Sequence, residues 1–228
     1  MAKRAGSVTL AVGVYEQLRF AILNGRMKPG ERLKPMELCA RLEVSLGVMR
    51  EALGLLAAQN LVVVDRNRGC WVTPLSAETL RNLTGARKII EGGALRLSVQ
   101  RGGVAWESEL LAAHHRMASL PMVLPGDPAA RNEEWASAHL DFHCKLIEAC
   151  GNLVLLDTCA RLSDAAELYR TWSVLGGEGH RDVAGEHRAL LEAALAHDAD
   201  RTVTMFEAHI ERTQALVTAS IDDPQAKA

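Results

Sequence analysis

The chain of 228 residues is 48% hydrophobic, only 4% aromatic, and carries a formal net charge of −2. This composition supports a packed core, and no apolar run approaches the ~20 residues that a membrane-spanning helix needs. The charge is unevenly divided, because residues 1–75 hold 11 Lys/Arg against 6 Asp/Glu whereas residues 76–228 hold 15 against 22. A basic N-terminal part of this kind fits a nucleic-acid-binding module that is joined to a second domain.

The predicted elements of the N-terminal part follow the order of a winged helix-turn-helix. Apolar residues at helical spacing predict three helices, over residues 10–24, 35–42 and 46–59. Ser45 is the predicted N-cap of the third helix. Two short strands, 61–64 and 70–73, then flank the basic turn Asp65-Arg66-Asn67-Arg68-Gly69. The sequence therefore predicts a DNA-binding domain over residues 8–75 with a small β-hairpin wing.

The remainder of the chain is predicted to be helical. Six helical segments are expected, over residues 77–101, 104–119, 132–150, 153–175, 182–197 and 199–219. Pro121–Arg131 contains three prolines and is predicted to be the one long loop. The predicted fold is mostly α, with an N-terminal winged helix-turn-helix and a C-terminal all-α bundle of about six helices over residues 76–220.

Four histidines fall on the apolar, inward-facing stripes of the later helices: His139, His143, His187 and His209. His139 and His143 are one helical turn apart, so both imidazoles can reach a single ion, and histidine is the commonest metal ligand. The alternative is a set of core or interface histidines that are satisfied by hydrogen bonds. An all-nitrogen set favours Zn, with Ni, Co or Cu as further candidates, over Mn or Mg.

Several short motifs occur in order between residues 10 and 215. They include Val14-Tyr15-Glu16-Gln17-Leu18-Arg19, Arg50-Glu51-Ala52-Leu53, Arg66-Asn67-Arg68-Gly69, Phe142-His143 and Glu186-His187-Arg188-Ala189-Leu190-Leu191. With these motifs the chain resembles the GntR family of bacterial transcription regulators, in its FCD branch. The resemblance implies a DNA-binding regulator, by default a repressor, that responds to a small ligand and catalyses no reaction.

The resemblance also implies which residues contact DNA. Arg50 corresponds to the end of the recognition helix, and Arg66 and Arg68 to the wing. Family members usually carry arginine at the positions of Leu46 and Met36, so this chain departs from the family pattern at both. Each bidentate arginine–guanine contact contributes about 1–3 kcal/mol of discrimination. We therefore expect a different operator, weaker reading, or readout that has moved to Lys34, Arg41 and the wing.

The effector side of the resemblance concerns the four histidines and Arg87. The family's metal ligands are an aspartate followed four residues later by a histidine, and then two further histidines; here His139 occupies the aspartate position. Arg87 matches an arginine that commonly faces a carboxylate ligand, which guanidinium binds through two hydrogen bonds. The alternative for Arg87 is a surface i,i+4 pair with Glu91.

These features predict a homodimer that binds a palindromic double-stranded operator and senses a small carboxylate, because one winged module reads too few base pairs alone. Two other functions remain open from the sequence: a metal-dependent enzyme and a pure metal sensor built on the same bundle. An enzyme is disfavoured because no HExxH motif is present and Glu186 is predicted to lie on a different helical face from His187. Five cysteines without CxxC spacing predict no disulfide framework and a cytoplasmic location.

Overall fold

The computed structural model describes residues 2–65, 67–174 and 181–222, except for the side chains of residues 2–9, 127–130, 171–174 and 222. The chain divides into two compact units. The first comprises residues 1–76 and 164–171, and the second comprises residues 77–163 and 172–228. No helix of the described part is both long enough and apolar enough to cross a membrane.

The first unit contains three helices: α1 (Ala2–Leu23), α2 (Pro35–Leu42) and α3 (Leu46–Ala58). Helix α1 begins at Ala2 rather than at the predicted Leu10. Helix α2 starts with Pro35, which needs no backbone partner there, and it ends at Glu43 in a left-handed conformation with φ 53°. The Ser45 hydroxyl accepts a hydrogen bond of 3.3 Å from the Val48 amide and so caps α3 as predicted.

The wing contains one strand more than the sequence predicted. The strands are β1 (Arg32–Leu33), β2 (Val62–Asp65) and β3 (Gly69–Val72), and they form an antiparallel sheet in the order β1-β3-β2. At the tip, the Asp65 carboxylate accepts hydrogen bonds from the amides of Asn67 and Arg68. Gly69 follows with φ +121°, a conformation that side chains other than glycine rarely adopt. These contacts fix the turn that presents the wing residues.

The six helices predicted after the wing are present in the described residues: α4 (Ala77–Arg101), α5 (Val104–Ala118), α6 (Glu133–Glu148), α7 (Leu153–Val174), α8 (Val183–Leu195) and α9 (Ala199–Asp222). All of them belong to the second unit except residues 164–171 of α7, which belong to the first. Helix α4 packs along α9 and α6, and α5 packs along α6 and α8. The core between them includes Leu95, Leu110, Phe142 and Leu190, all almost completely buried. The mostly helical fold class is therefore confirmed.

The prediction of a long loop over Pro121–Arg131 was wrong in part. The segment forms a second antiparallel sheet, β4 (Val123–Leu124) with β5 (Asp127–Arg131). Asn132 follows it, and its side chain both caps α6 through the Glu134 amide and donates to the Pro121 carbonyl oxygen. The sequence analysis did not predict these strands, because proline is unusual inside strands and typical of turns.

Candidate functional site

The second unit brings the four predicted histidines together. Helix α6 supplies His139 and His143, α8 supplies His187, and α9 supplies His209. Each residue offers one ligand atom, and these atoms all lie within 4.8 Å of one another. Three of the four residues are buried, with exposed fractions of 2% for His139, 1% for His187 and 6% for His209. The four imidazoles converge in the interior of the bundle and form a group that could hold a metal ion.

The distances within the cluster fit a coordinated ion. The His143 Nε2 atom lies 3.2 Å from the Nε2 of His139 and 3.3 Å from the Nε2 of His187. Four ligands at metal–nitrogen distances of about 2.0–2.1 Å lie about 3.3–3.4 Å from one another in a tetrahedron. Burial, followed by the effect of His209, lowers the pKa of His187 well below its usual value. Its imidazole is therefore neutral, which is the form that binds metals.

Glu186 and Arg181 surround the fourth histidine on the side away from the cluster. The Glu186 carboxylate lies 2.7 Å from the Nδ1 of His209. Because a carboxylate only accepts, His209 donates through Nδ1 and keeps the lone pair of Nε2 for the cluster. Arg181 donates to Glu186 at 2.6 Å and to the His209 carbonyl oxygen at 2.9 Å. The sequence analysis used Glu186 only to argue against catalysis and missed this role.

The charge of Glu186 is maintained by its partners. Burial by itself raises the pKa of the Glu186 carboxyl, but the hydrogen bonds from His209 and Arg181 outweigh burial and hold that pKa well below its usual value. Arg212 adds a contact of 3.2 Å to the other carboxylate oxygen. Glu186 is therefore an ionised, largely buried group whose position is fixed by three neighbours. A carboxylate of this kind is the usual partner of a metal-binding histidine.

A cavity of about 210 Å³ adjoins the histidine cluster within the second unit. His143 contributes to both, because it belongs to the cluster and also lines the cavity. Glu91 lines the cavity as well, and it is paired with Arg87 by two hydrogen bonds of 2.6 and 2.9 Å. The i,i+4 pair of Arg87 and Glu91 therefore exists, but it is buried instead of exposed at the surface, with 6% and 8% of the two side chains accessible.

The first unit presents most of its predicted DNA-binding residues to solvent. Arg50, Arg68, Lys34 and Arg41 are exposed, whereas Arg66 lies outside the described residues. Arg50 is the one basic residue of helix α3, which also exposes Gly47 and Gly54. Lys34 and Arg41 line one surface groove together with Arg26 and Arg32. The sequence analysis did not single out Arg26 or Arg32.

Leu46 and Met36, the two positions at which this chain departs from the family pattern, differ in exposure. Leu46, at the first position of α3, is half-buried and packs against the core of the first unit. Met36 is 67% exposed at the start of α2. Neither side chain can form the bidentate hydrogen bonds through which arginine recognises guanine. Exposed cations close to them in sequence include Arg32, Lys34, Arg41 and Arg50.

A winged helix-turn-helix with exposed arginines, followed by a separate helical unit, is the architecture of a DNA-binding transcription regulator. Residues 82–212 match the FCD domain, and residues 10–72 match the bacterial regulatory proteins of the gntR family. The chain therefore belongs to the GntR family of transcription regulators, in its FCD branch. The resemblance seen in the sequence is confirmed.

Curated relatives support the same assignment. The chain is 37% identical over 209 residues to the uncharacterized HTH-type transcriptional regulator BphR of Paraburkholderia xenovorans, covering 92% of this chain and 85% of the relative. It is 32% identical over 200 residues to the HTH-type transcriptional repressor GlaR of Escherichia coli, covering 86% and 90%. The matched families and these relatives are transcription regulators, which confirms the prediction that the chain is not an enzyme.

Solved structures share the fold. McbR/YncC of E. coli superposes with a TM-score of 0.75 at 18% identity and covers 93% of this chain and 99% of that chain. A putative GntR transcriptional regulator from Rhodococcus sp. RHA1 gives a TM-score of 0.72 at 22% identity, with 92% and 97% covered. At these identities the likeness establishes the architecture.

Proposed function

We propose that this chain is a homodimeric, ligand-responsive transcription regulator, by default a repressor, whose helical unit holds a divalent transition metal and senses a small carboxylate. The observation that carries the proposal is the convergence of the four histidine ligand atoms within 4.8 Å, beside a cavity that shares His143. A bundle gains nothing in stability from four mutually facing imidazoles unless something compensates their burial. A shared cation compensates all four at once.

For DNA binding, we propose that Arg50 reads base edges in the major groove and that Arg66 and Arg68 contact the backbone or the minor groove from the wing. Lys34 and Arg41 add contacts from the groove that they share with Arg26 and Arg32. Support comes from the exposure of the described members of this set and from their order on α2, α3 and the wing. This arrangement is the usual docking geometry of the motif.

For the metal, we propose Zn as the preferred ion, with Ni, Co or Cu as alternatives. The ligand set is all nitrogen, because His139 stands where the family usually has an aspartate. Imidazole suits these ions, whereas Mg and Mn prefer oxygen ligands. Glu186 and Arg181 support the choice, since they hold His209 in one tautomer and orientation before any ion binds.

For the effector, we propose a carboxylate held at the end of the cavity that His143 lines. A bound divalent ion there supplies a Lewis-acidic position that attracts a carboxylate oxygen. Arg87 is linked to the same cavity through Glu91, and an effector carboxylate that reaches the guanidinium takes the place of the Glu91 carboxylate. The ligand changes DNA affinity only as far as its own affinity differs between the two states of the protein.

The test combines metal content, effector response and DNA binding in three variants. His187→Ala and His209→Ala are expected to lose tightly bound metal and the response to carboxylates while retaining the helical circular dichroism signal. His115→Ala is the matched control, because His115 is exposed on α5 and outside the cluster. Full effector response in either cluster variant would overturn the proposed sensing mechanism.

A pure metal sensor is the second candidate, and one observation favours it. The four histidines already supply the full ligand set of a tetrahedral zinc site, which leaves no open position for an effector. This function predicts DNA affinity that follows the free metal concentration without any organic acid. The effector sensor would be favoured over the metal sensor if the protein retained its metal through dialysis and if its DNA affinity responded only to an organic acid.

A further inference from the structure

The chemistry of the cavity wall restricts the kind of acid that it can accept. Six of the lining residues are apolar: Leu95, Leu146, Ile147, Leu156, Ala160 and Phe206. The few polar side chains include His143 and Glu91, which lie on the side of the proposed metal and of Arg87. A ligand with several hydroxyl groups would leave most of them without hydrogen-bond partners against this wall, and each such loss is costly.

The charges around the cavity allow for one acidic group only. Among the described residues that line it, none is a lysine or an arginine. Glu91 is already neutralised by Arg87, and the other lining carboxylate, Glu148, is paired with Lys145 at 2.8 Å. A second carboxylate on the effector would meet apolar side chains without a compensating cation, which is strongly unfavourable in a confined site.

The volume sets the size of the ligand. A dry apolar cavity of about 150 Å³ accommodates benzene, so a cavity of 210 Å³ accommodates about eight to ten non-hydrogen atoms. Because the cavity is partly open to solvent, the remainder of a larger ligand would extend out of it. The three restrictions of polarity, charge and size all point to the same class of compound.

We infer that the effector is a monocarboxylic acid with an apolar aliphatic or aromatic body, and that hydroxylated sugar acids and dicarboxylic acids are excluded. The inference rests on the proposed function, because it names the ligand class of the same site. The carboxylate faces His143 and the proposed metal, and the apolar body contacts Leu146, Leu156 and Phe206.

The experiment uses isothermal titration of the metal-loaded full chain with four acids. Hexanoate, gluconate and adipate share one carbon chain length and differ in hydroxyl groups or in a second carboxylate, and benzoate represents the aromatic acids. We expect binding of hexanoate or benzoate at least about tenfold tighter than binding of gluconate and adipate, which corresponds to ~1.4 kcal/mol. Tighter binding of gluconate or adipate would overturn the inference and leave carboxylate sensing intact. Absence of binding by all four acids would contradict carboxylate sensing as well.

A pair of neighbouring variants tests whether the acid occupies this cavity. Leu156→Phe narrows the cavity, whereas Leu155→Phe changes the adjacent residue, which is also half-buried but does not line it. We expect Leu156→Phe to weaken binding of the preferred acid by about tenfold or more, because the larger ring occupies part of the volume that the acid needs. Metal content should be unchanged in both variants. Equal effects of the two substitutions, or none, would place the acid elsewhere.

Discussion

Glu186 shows how a single residue can orient a proposed metal ligand that is distant from it in sequence. It follows Gly185 and precedes His187 on α8, yet its carboxylate contacts His209 on α9 at 2.7 Å. Arg181 holds the same carboxylate at 2.6 Å, and the pair is largely buried, with 9% and 12% of the side chains accessible. The hydrogen bond fixes the ring of His209, so part of the organisation of the cluster comes from outside the four histidines.

The first prediction concerns this carboxylate. Replacing it by the amide in Glu186→Gln keeps the size of the side chain but removes the charge that holds the His209 ring. We expect metal affinity to fall by about 10–100-fold, as is usual when such a partner is altered. Competition with a chromophoric chelator measures the affinity, and circular dichroism checks the fold.

The control for this substitution is Glu192→Gln, because Glu192 is exposed on the same helix and is remote from the cluster. Its metal affinity should equal that of the wild type. An unchanged affinity in Glu186→Gln would show that His209 is oriented without the carboxylate or does not bind the ion.

Residue chemistry made the four histidines predictable but not their surroundings. His139 and His143 are one turn apart on an apolar stripe, so periodicity alone places them on one inward face. The pairing of Glu186 with His209 depends on how α8 packs against α9, which no local pattern contains. An acidic residue directly before a predicted metal-ligand histidine was the available signal.

At the scale of the elements, the helices were predictable and the short strands were not. Helices such as α3 and α6 have apolar periodicity and capping residues, Ser45 and Asn132, that mark where they start. Strand β1 has only two residues, too few for an alternating pattern, and it exists because β3 offers an edge for pairing. Strands β4 and β5 pair around a turn with Gly126 at φ +88°, in a segment whose prolines indicated a loop.

His197 links three elements of the second unit and gives a pH-dependent prediction. It lies in the turn between α8 and α9, contacts the Val99 carbonyl oxygen of α4 at 2.8 Å, and pairs with Glu107 of α5 at 2.9 Å. The hydrogen bond with Glu107, followed by that with Val99, raises the pKa of His197 above 6.5. A raised pKa in the folded state means that the contribution to stability is complete below the unfolded pKa. It is lost as the pH rises through the folded pKa.

We therefore expect Glu107→Gln to destabilise the protein at about pH 5.5 and to have little effect at about pH 8.5, where His197 is neutral in either variant. The loss of unfolding free energy at the lower pH should exceed the loss at the higher pH by less than about 1 kcal/mol, because both side chains are partly solvated. Urea denaturation at the two pH values measures it. Glu109→Gln is the control, because the partner of Glu109 is Lys145, whose charge is constant over this range. Its effect on the free energy of unfolding should be the same at both pH values. A pH-independent effect of Glu107→Gln would contradict the assignment.

At the scale of the whole molecule, the proposed function joins a DNA-reading unit to a sensing unit, and the DNA-reading unit departs from its family. Helix α3 exposes Gly47 and Gly54 around its one cation, Arg50. With Leu46 packed against the core, few base-edge contacts are available to each protomer. The proposed function therefore predicts that affinity comes largely from phosphate contacts, which are sensitive to salt, and from two protomers that share one operator.

The last prediction concerns how two protomers share an operator. On a duplex with two half-sites, we expect two chains to bind with high affinity, and a duplex with one half-site should bind far more weakly, because one recognition helix contacts too few bases.

Arg50→Ala should lower affinity for the operator but hardly change binding to scrambled DNA, since it removes a base contact worth about 1–3 kcal/mol. Arg68→Ala should weaken binding to both and reduce the slope of log affinity against log salt by about one. Arg96 is a partly exposed arginine of the second unit that is paired with Asp200, so Arg96→Ala serves as control and should change neither affinity. Fluorescence anisotropy across a salt series measures all four proteins. Equal affinity for duplexes with one and two half-sites would rule out cooperative binding of two protomers. If Arg50→Ala lowered the affinity for operator and for scrambled DNA equally, Arg50 would not contribute to sequence recognition.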